Sequence, residues 1–151
     1  MSNVKDALAK WDAADELLAE KIDEIQTRMG ADIIAGGTGG SVKKSNGLII
    51  INLNFSFTYN GETDPSYDTD TNLTSFVFPS NFAMKKSVYS SAVVISDSWN
   101  PRSFAYVSVQ QSSTTNKPKL NVRPFGTNLT SGNTYRVIGQ IVFGTESGDF
   151  I

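Results

Sequence analysis

"LIIINLNFSFTY", residues 48–59, is the stretch of the sequence that decides the fold. From Ile51 onward, apolar side chains occupy every second position, and asparagine, serine and threonine occupy the positions between them. Successive side chains of a strand point to opposite faces, so this alternation predicts an antiparallel β-strand with one buried and one solvated face. The buried face would carry Ile51, Leu53, Phe55, Phe57 and Tyr59.

β-Branched and aromatic residues recur along the rest of the chain, with turn-rich segments between them. Strands separated only by turns, with no helical periodicity between them, are typical of an antiparallel β-sandwich or barrel. The predicted fold is therefore mainly β, and residues 48–151 would form a β-sandwich or barrel head domain. We predict further strands at 73–78, 87–96, 104–109, 119–125 and 134–143.

A different period precedes the strands. In residues 4–29, apolar side chains recur at alternating steps of three and four, which predicts a helix with a heptad register. Asp15 interrupts this register at an inner position. Alanine fills flanking positions where a dimeric coiled coil usually has charges, so a three-stranded coiled coil over residues 1–29 is favoured. The trimer would form through Leu8, Trp11, Leu18, Ile22, Ile25 and Met29.

Residues 30–47 connect the helix to the first strand and contain the run GGTGG. Glycine-rich segments are flexible, so this part is predicted to be a neck or linker. A loose connection favours a helix that associates with copies of itself. The alternative is an amphipathic helix that packs on its own β-domain.

The composition argues against several kinds of chemistry. The 151 residues include no histidine and no cysteine, which removes the usual general base near neutral pH, thiolate nucleophiles and sulfur-ligated metals. A formal net charge of −2 gives no basic field for nucleic acid or for an anionic membrane. No signal peptide or membrane-spanning apolar run is visible. We therefore expect no enzymatic activity, no nucleic-acid partner and no membrane partner.

An acidic loop at 64–72 is the candidate for a metal. Asp68, Asp70 and Asn72 alternate along it, which lets their oxygens converge on a cation such as Ca²⁺. The glycine and glutamate that an EF-hand loop needs at its sixth and twelfth positions are missing. We expect no cofactor, with a calcium site at these three residues as the alternative to a solvated loop.

The loop "SDSWNPRS", residues 96–103, is the candidate binding site. An exposed indole can stack on the C–H groups of a sugar ring, while neighbouring carboxylate, amide and guanidinium groups bind hydroxyls. Two alternatives are a phosphate held by the guanidinium, and a tryptophan that closes the end of the β-domain. The candidate saccharide-binding residues are Asp97, Trp99, Asn100 and Arg102.

This layout of heptad helix, glycine-rich neck and β-head resembles the receptor-binding (lower baseplate) proteins of siphophages that infect Gram-positive bacteria, the lactococcal phages especially. "FVFPSNFAMKKS" (76–87) is similar to the segment by which the family's chain approaches its head. "KLNVRPFGTNLTSGNTYRVIGQIVF" (119–143) is similar to the family's closing pair of strands.

The resemblance implies a homotrimeric virion protein of the tail tip or baseplate, made in the host cytoplasm. Its helices would attach to a baseplate protein, and its β-heads would bind host cell-wall polysaccharide. The residues of the 96–103 loop match the family's sites in kind. The alternative functions are a structural baseplate component that contacts other virion proteins, and a polysaccharide-degrading tail enzyme that pairs Asp97 with an acid of the 64–70 segment.

Overall fold

The computed structural model of the chain describes residues 2–29, 32–34, 36–45, 47–84 and 86–144. The chain divides into two compact units, Met1–Ala31 and Asp32–Ile151. The first unit is one α-helix, α1 (Ser2–Met29). Among the described residues, no helix has both the length and the apolar stretch that a membrane crossing requires.

The second unit is a β-domain, so the fold is mainly β with one N-terminal helix, as predicted. Within the residues that the structure describes, its strands are joined antiparallel into one eight-stranded curled sheet in the order β1-β2-β3-β8-β5-β6-β7-β4. A short 3-10 helix (Gly126–Asn128) precedes the last strand. The strands are β1 (Asp32–Ile34), β2 (Gly40–Ser45), β3 (Leu48–Thr58), β4 (Tyr67–Asp68), β5 (Val88–Ile95), β6 (Pro101–Gln111), β7 (Pro118–Pro124) and β8 (Thr134–Gly144).

Strand β3 organises the sheet, and its burial alternates as its sequence predicts. It pairs with β8 along its whole length, from Leu48 opposite Gly144 to Thr58 opposite Thr134. Its inward side chains enter one hydrophobic core together with those of β5 to β8. The buried residues of β3 are Ile49, Ile51, Leu53, Phe55 and Phe57.

The glycine-rich segment 30–47 differs from the expected flexible neck, because it contains β1 and β2. Strand β2 pairs with β3 over six residues and buries Val42 in the core. Gly39 shows why this segment contains glycine. Its φ is +76°, and a Cβ there would overlap the carbonyl oxygen of Ser75. Glycine is required here because the backbone turns through the left-handed region against another segment.

Residues 73–78 also differ from the sequence expectation, because they form no strand beyond one isolated bridge between Thr38 and Val77. Their aromatic side chains fill the core from an irregular segment instead. The ring of Phe76 lies 5.6 Å from that of Phe55 and 4.8 Å from that of Phe78. A short segment rich in apolar and aromatic residues can therefore be a loop that packs against the core.

The described apolar side chains of helix α1, in residues 4–22, are exposed in the single chain. Leu8, Trp11, Leu18 and Ile22 are between 47% and 69% exposed, and Asp15 is exposed as well. Of the predicted seam, the side chains of Ile25 and Met29 lie outside the described residues. The predicted association with other copies stays a prediction.

Candidate functional site

Residues 96–100 of the candidate loop form the tight turn that joins β5 to β6, and residues 101–103 are the first residues of β6. The Ser96 N–H donates to the Asn100 carbonyl at 3.0 Å, and the Trp99 N–H donates to the Ser96 carbonyl at 2.9 Å. Trp99 has a left-handed backbone conformation, with φ of 62°. Turns of this kind normally place glycine at the left-handed position, so a tryptophan there is strained. Such strain is found most often where a side chain has a function.

Trp99 remains 63% exposed at the tip of this turn. The Cζ atom of Arg136 lies 5.4 Å from the centroid of its ring, which is within the range of a cation–π contact. Arg136 is on β8, opposite Ile95 at the end of β5. Pairing of β5 with β8 therefore supplies the cation that orients the indole.

A polar cavity of about 510 Å³ opens between this turn and the segment that precedes β8. Its walls contain one carboxylate, one guanidinium and several amide and hydroxyl groups. The volume falls in the range of about 300–1,000 Å³ that is typical of small-ligand sites. The lining residues include Asp97, Arg102, Asn128, Thr130, Asn133 and Tyr135.

Tyr135 contributes a phenol with a lowered pKa to this cavity. Burial raises the pKa of Tyr135, but hydrogen bonds from Thr130 and Asn133 and the positive charge of Arg102 outweigh that effect, so the pKa lies below its usual value of 10.0. The main hydrogen bond runs from the Thr130 N–H to the Tyr135 Oη at 2.7 Å. Arg102 also lines the cavity, and its positive charge favours an electron-rich ligand group there.

The structure places two of the four predicted binding residues in the cavity wall and the other two outside it. Asp97 and Arg102 line the cavity. Trp99 contacts Arg136 instead, and the Asn100 amide lies 3.4 Å from the Ser98 Oγ. The role of these residues in binding stays a prediction.

Sequence reasoning missed three residues of this site. Asn133 and Tyr135 line the cavity, and Arg136 holds the indole. All three come from a segment that is distant from the turn in sequence, so their position depends on the pairing of β5 with β8. No local sequence pattern predicts that pairing.

The acidic loop is held by its own hydrogen bonds. The Oδ1 atom of Asp68 accepts from the backbone N–H groups of Asp70 and Thr71, both at 2.9 Å. The Asn72 Oδ1 accepts from the Asp68 N–H at 2.8 Å, and the Ser112 hydroxyl lies 2.5 Å from the Asp70 Oδ2. In the described ranges, no group of three or more acidic, histidine or cysteine side chains is arranged to hold a metal. The loop's polar groups therefore have a structural use.

No protein-family model matches the sequence, and no curated protein matches it. Two solved structures show a distant similarity to this chain. One is a reovirus attachment protein sigma1 in complex with alpha-2,3-sialyllactose, which is 13% identical over 70% of this chain and 55% of that chain, with a TM-score of 0.37. This chain thus spans about half the length of the reovirus chain. The other is the carboxy-terminal domain of the turkey type 3 siadenovirus fibre, avirulent form, complexed with 3-sialyllactose, which is 9% identical over 78% of this chain and 99% of that chain, also with a TM-score of 0.37. At this distance the likeness carries no weight for function.

Proposed function

We propose that this chain is a virion attachment protein without enzymatic activity, which binds host cell-wall saccharide through a homotrimeric β-head on a phage tail tip or baseplate. The observation that carries the proposal is the exposed indole of Trp99, held in a strained conformation next to a polar cavity. A flat apolar surface beside converging polar groups suits a sugar ring, which has C–H groups on its faces and hydroxyls around its edge.

The cavity offers both donors and acceptors to such a ligand. The Asp97 carboxylate accepts hydrogen bonds, the Arg102 guanidinium donates them, and the Asn133 amide does both. Paired hydroxyl groups of a sugar need this mixture, because each hydroxyl donates one hydrogen bond and accepts others. A single open site of this kind binds weakly, with a Kd on the order of 1 mM.

Trimerisation through α1 would overcome that weakness. The exposed apolar side chains of the helix would be buried in a three-stranded bundle, and each fully buried side chain contributes about 1.5–3 kcal/mol. Three heads held together would bind a repetitive polysaccharide about 10²–10⁴ times more tightly than one head. The same helix is the part that we assign to attachment on a baseplate protein.

Binding to cell-wall polysaccharides tests the proposal. The full chain is applied to an array of polysaccharides purified from a panel of Gram-positive bacteria, beside Trp99→Ala and Val142→Ala. Val142 is also exposed on a strand of the sheet, so its replacement is the matched control. We expect Trp99→Ala to lose at least about fivefold in affinity, since stacking on an aromatic ring contributes about 1 kcal/mol or more, while Val142→Ala binds as the natural chain does. Equal binding by all three chains would rule out the Trp99 site.

A further inference from the structure

Strands β5 and β6 carry large apolar side chains on both of their faces. Ala105, Val107 and Val109 face the core, whereas Phe104 and Tyr106 lie between them and are each 63% exposed. A strand that is apolar on both sides normally has both faces covered. Contiguous exposed apolar side chains of this size mark a binding surface. We call this surface the outer aromatic face; it comprises Tyr89, Val93, Phe104, Tyr106 and Phe125.

Strand register brings these side chains together. Tyr106 lies opposite Ser91 of β5 and Arg123 of β7. Its ring centroid is 5.2 Å from that of Phe125. Tyr89 is 76% exposed and lies opposite Ser108, which is on the same face of β6 as Tyr106. Tyr89, Tyr106 and Phe125 therefore lie on the same, outer face of the sheet.

A groove of about 340 Å³ runs along this face between Tyr89 and Tyr106. Gln110, Asn121 and Arg123 form its polar wall. Within the described part of the chain, Arg123 takes part in no ion pair. The amide and guanidinium groups of this wall are available to a ligand.

The charge of the groove restricts the kind of ligand. Arg123 is its cation, and no carboxylate is among the described residues that line it. Across the strands, Asp68 lies opposite Asn121, but its Oδ1 already accepts two backbone N–H groups. A guanidinium binds carboxylate and phosphate through paired hydrogen bonds, and aromatic rings beside it bind the apolar face of a sugar.

We propose that this groove is a second saccharide site, which stacks a sugar ring on Tyr106 and holds an anionic substituent of that sugar, a carboxylate or a phosphate, with Arg123. The identification of the ligand as a glycan rests on the proposed function, whereas the groove is separate from the Trp99 site in position and lining. The volume of the groove falls in the range of about 300–1,000 Å³ that is typical of small-ligand sites.

The test titrates the full chain with three sets of galactose-based oligosaccharides and follows its ¹H–¹⁵N spectra. One set is neutral, one carries carboxylates (galacturonic acid oligomers), and one carries phosphate groups. We expect the anionic sugars to shift the backbone resonances of β6 and β7 around Tyr106 and Arg123. The two anionic sets show which group the site prefers.

Two charge-removing variants make the test specific. Arg123→Gln should weaken binding of the anionic sugars about tenfold and leave neutral sugars unaffected, because it removes a charge-assisted hydrogen bond. Lys44→Gln removes the same charge from β2, which is separated from β6 in the sheet by three strands, so we expect a change of less than about twofold. Equal losses in both variants, or no shift on β6 and β7, would overturn the proposal.

The experiments distinguish failure of the groove proposal from failure of the proposed function. If Trp99→Ala alone abolishes binding, the Trp99 site stands and the groove does not. If Arg123→Gln alone abolishes binding of the anionic sugars, the groove stands. A Tyr106→Ala variant with fewer chains per particle than the natural chain would identify the outer aromatic face as a contact between subunits and overturn the groove as a ligand site.

Discussion

Trp99 has a left-handed backbone conformation that residues with a Cβ seldom adopt, and the cost of that conformation is about 1–2 kcal/mol. A tryptophan at the tip of an exposed turn gains little packing in return, since its contact with Arg136 contributes about 0.5–1 kcal/mol at an exposed site. Stability alone would favour glycine at this position. The presence of tryptophan is therefore better explained by binding.

This reasoning predicts opposite effects on stability and on binding. Trp99→Gly and Trp99→Ala both remove the indole, but only glycine also relieves the strain. We expect the free energy of unfolding of Trp99→Gly to exceed that of Trp99→Ala by about 1 kcal/mol, while both variants lose saccharide binding. Urea unfolding measures the difference. Equal stability of the two variants would mean that the turn is unstrained.

Tyr135 makes the stability of the β-domain depend on pH in the alkaline range. The hydrogen bonds around the phenol lower its pKa in the folded chain below the unfolded value of 10.0. The folded state therefore binds fewer protons than the unfolded state between these two values. Tyr135 contributes stability that is fully present above the unfolded pKa and is lost as the pH falls through the folded pKa.

Tyr67 provides the matched control, because burial raises its pKa above 10.0. Its contribution to stability is fully present below the unfolded pKa and is lost as the pH rises through the folded pKa. Urea unfolding between about pH 8 and pH 11 compares the natural chain with Tyr135→Phe and Tyr67→Phe. We expect Tyr135→Phe to lose stability relative to the natural chain as the pH rises, and Tyr67→Phe to gain. Parallel curves for the two variants would contradict this.

Single elements show how much of the fold was predictable. The alternation in β3 predicted its bounds closely, because one face of that strand is buried along its whole length. Residues 30–47 were not predictable in the same way, since their glycines permit close approach of backbones as well as flexibility. The contact of Gly39 with the segment around Ser75 shows that this glycine permits close approach of two backbones.

The candidate site was predictable only where it is local. The β5–β6 turn follows from its own sequence, but its partner Arg136 is brought there by strand pairing. The outer aromatic face did leave a pattern in the sequence. In "FAYVSV", residues 104–109, apolar side chains occupy both faces of the strand, which indicates a second covered surface.

The close packing of β2 leads to a prediction for this element. Gly39→Ala should lower the free energy of unfolding by about 2–4 kcal/mol, because left-handed strain adds to the overlap of the new Cβ with Ser75 and Phe55. Gly132 is the control: its φ is +84°, yet a Cβ there meets nothing within 4 Å. Gly132→Ala should cost only about 1 kcal/mol, and urea unfolding of both variants measures the difference. A flexible neck would tolerate both substitutions equally.

At the scale of the whole molecule, the helix and the β-domain differ in how they are stabilised. The β-domain has its own hydrophobic core, whereas the described apolar side chains of α1 remain exposed in a single chain. A helix of this kind is stabilised mainly by the partner that covers its apolar stripe. We assign that role to two further copies of the chain, which would also present three heads to one surface.

The number of chains per particle tests this assignment, and the helix offers a matched pair of positions for it. Leu18 lies on the predicted seam, and its neighbour Leu17 is similarly exposed but lies off the seam. Leu18→Lys would place charges at the centre of the bundle, where burying an unpaired charge costs several kcal/mol. Leu17→Lys would leave its charge in water. Light scattering on the full chain should give about three chains per particle for the natural protein and for Leu17→Lys, and single chains for Leu18→Lys.

The same pair of variants connects the helix to binding by the heads. Binding of Leu18→Lys to immobilised polysaccharide should fall by about 10²–10⁴, because the effective concentration of the second and third heads is lost. The affinity of each head for a short oligosaccharide should stay the same, since the substitution lies outside the β-domain. Surface plasmon resonance on both ligands measures the two effects, with Leu17→Lys as the control. If the natural chain is monomeric in solution, the trimer prediction is wrong. The saccharide site would then be tested by the binding of single heads.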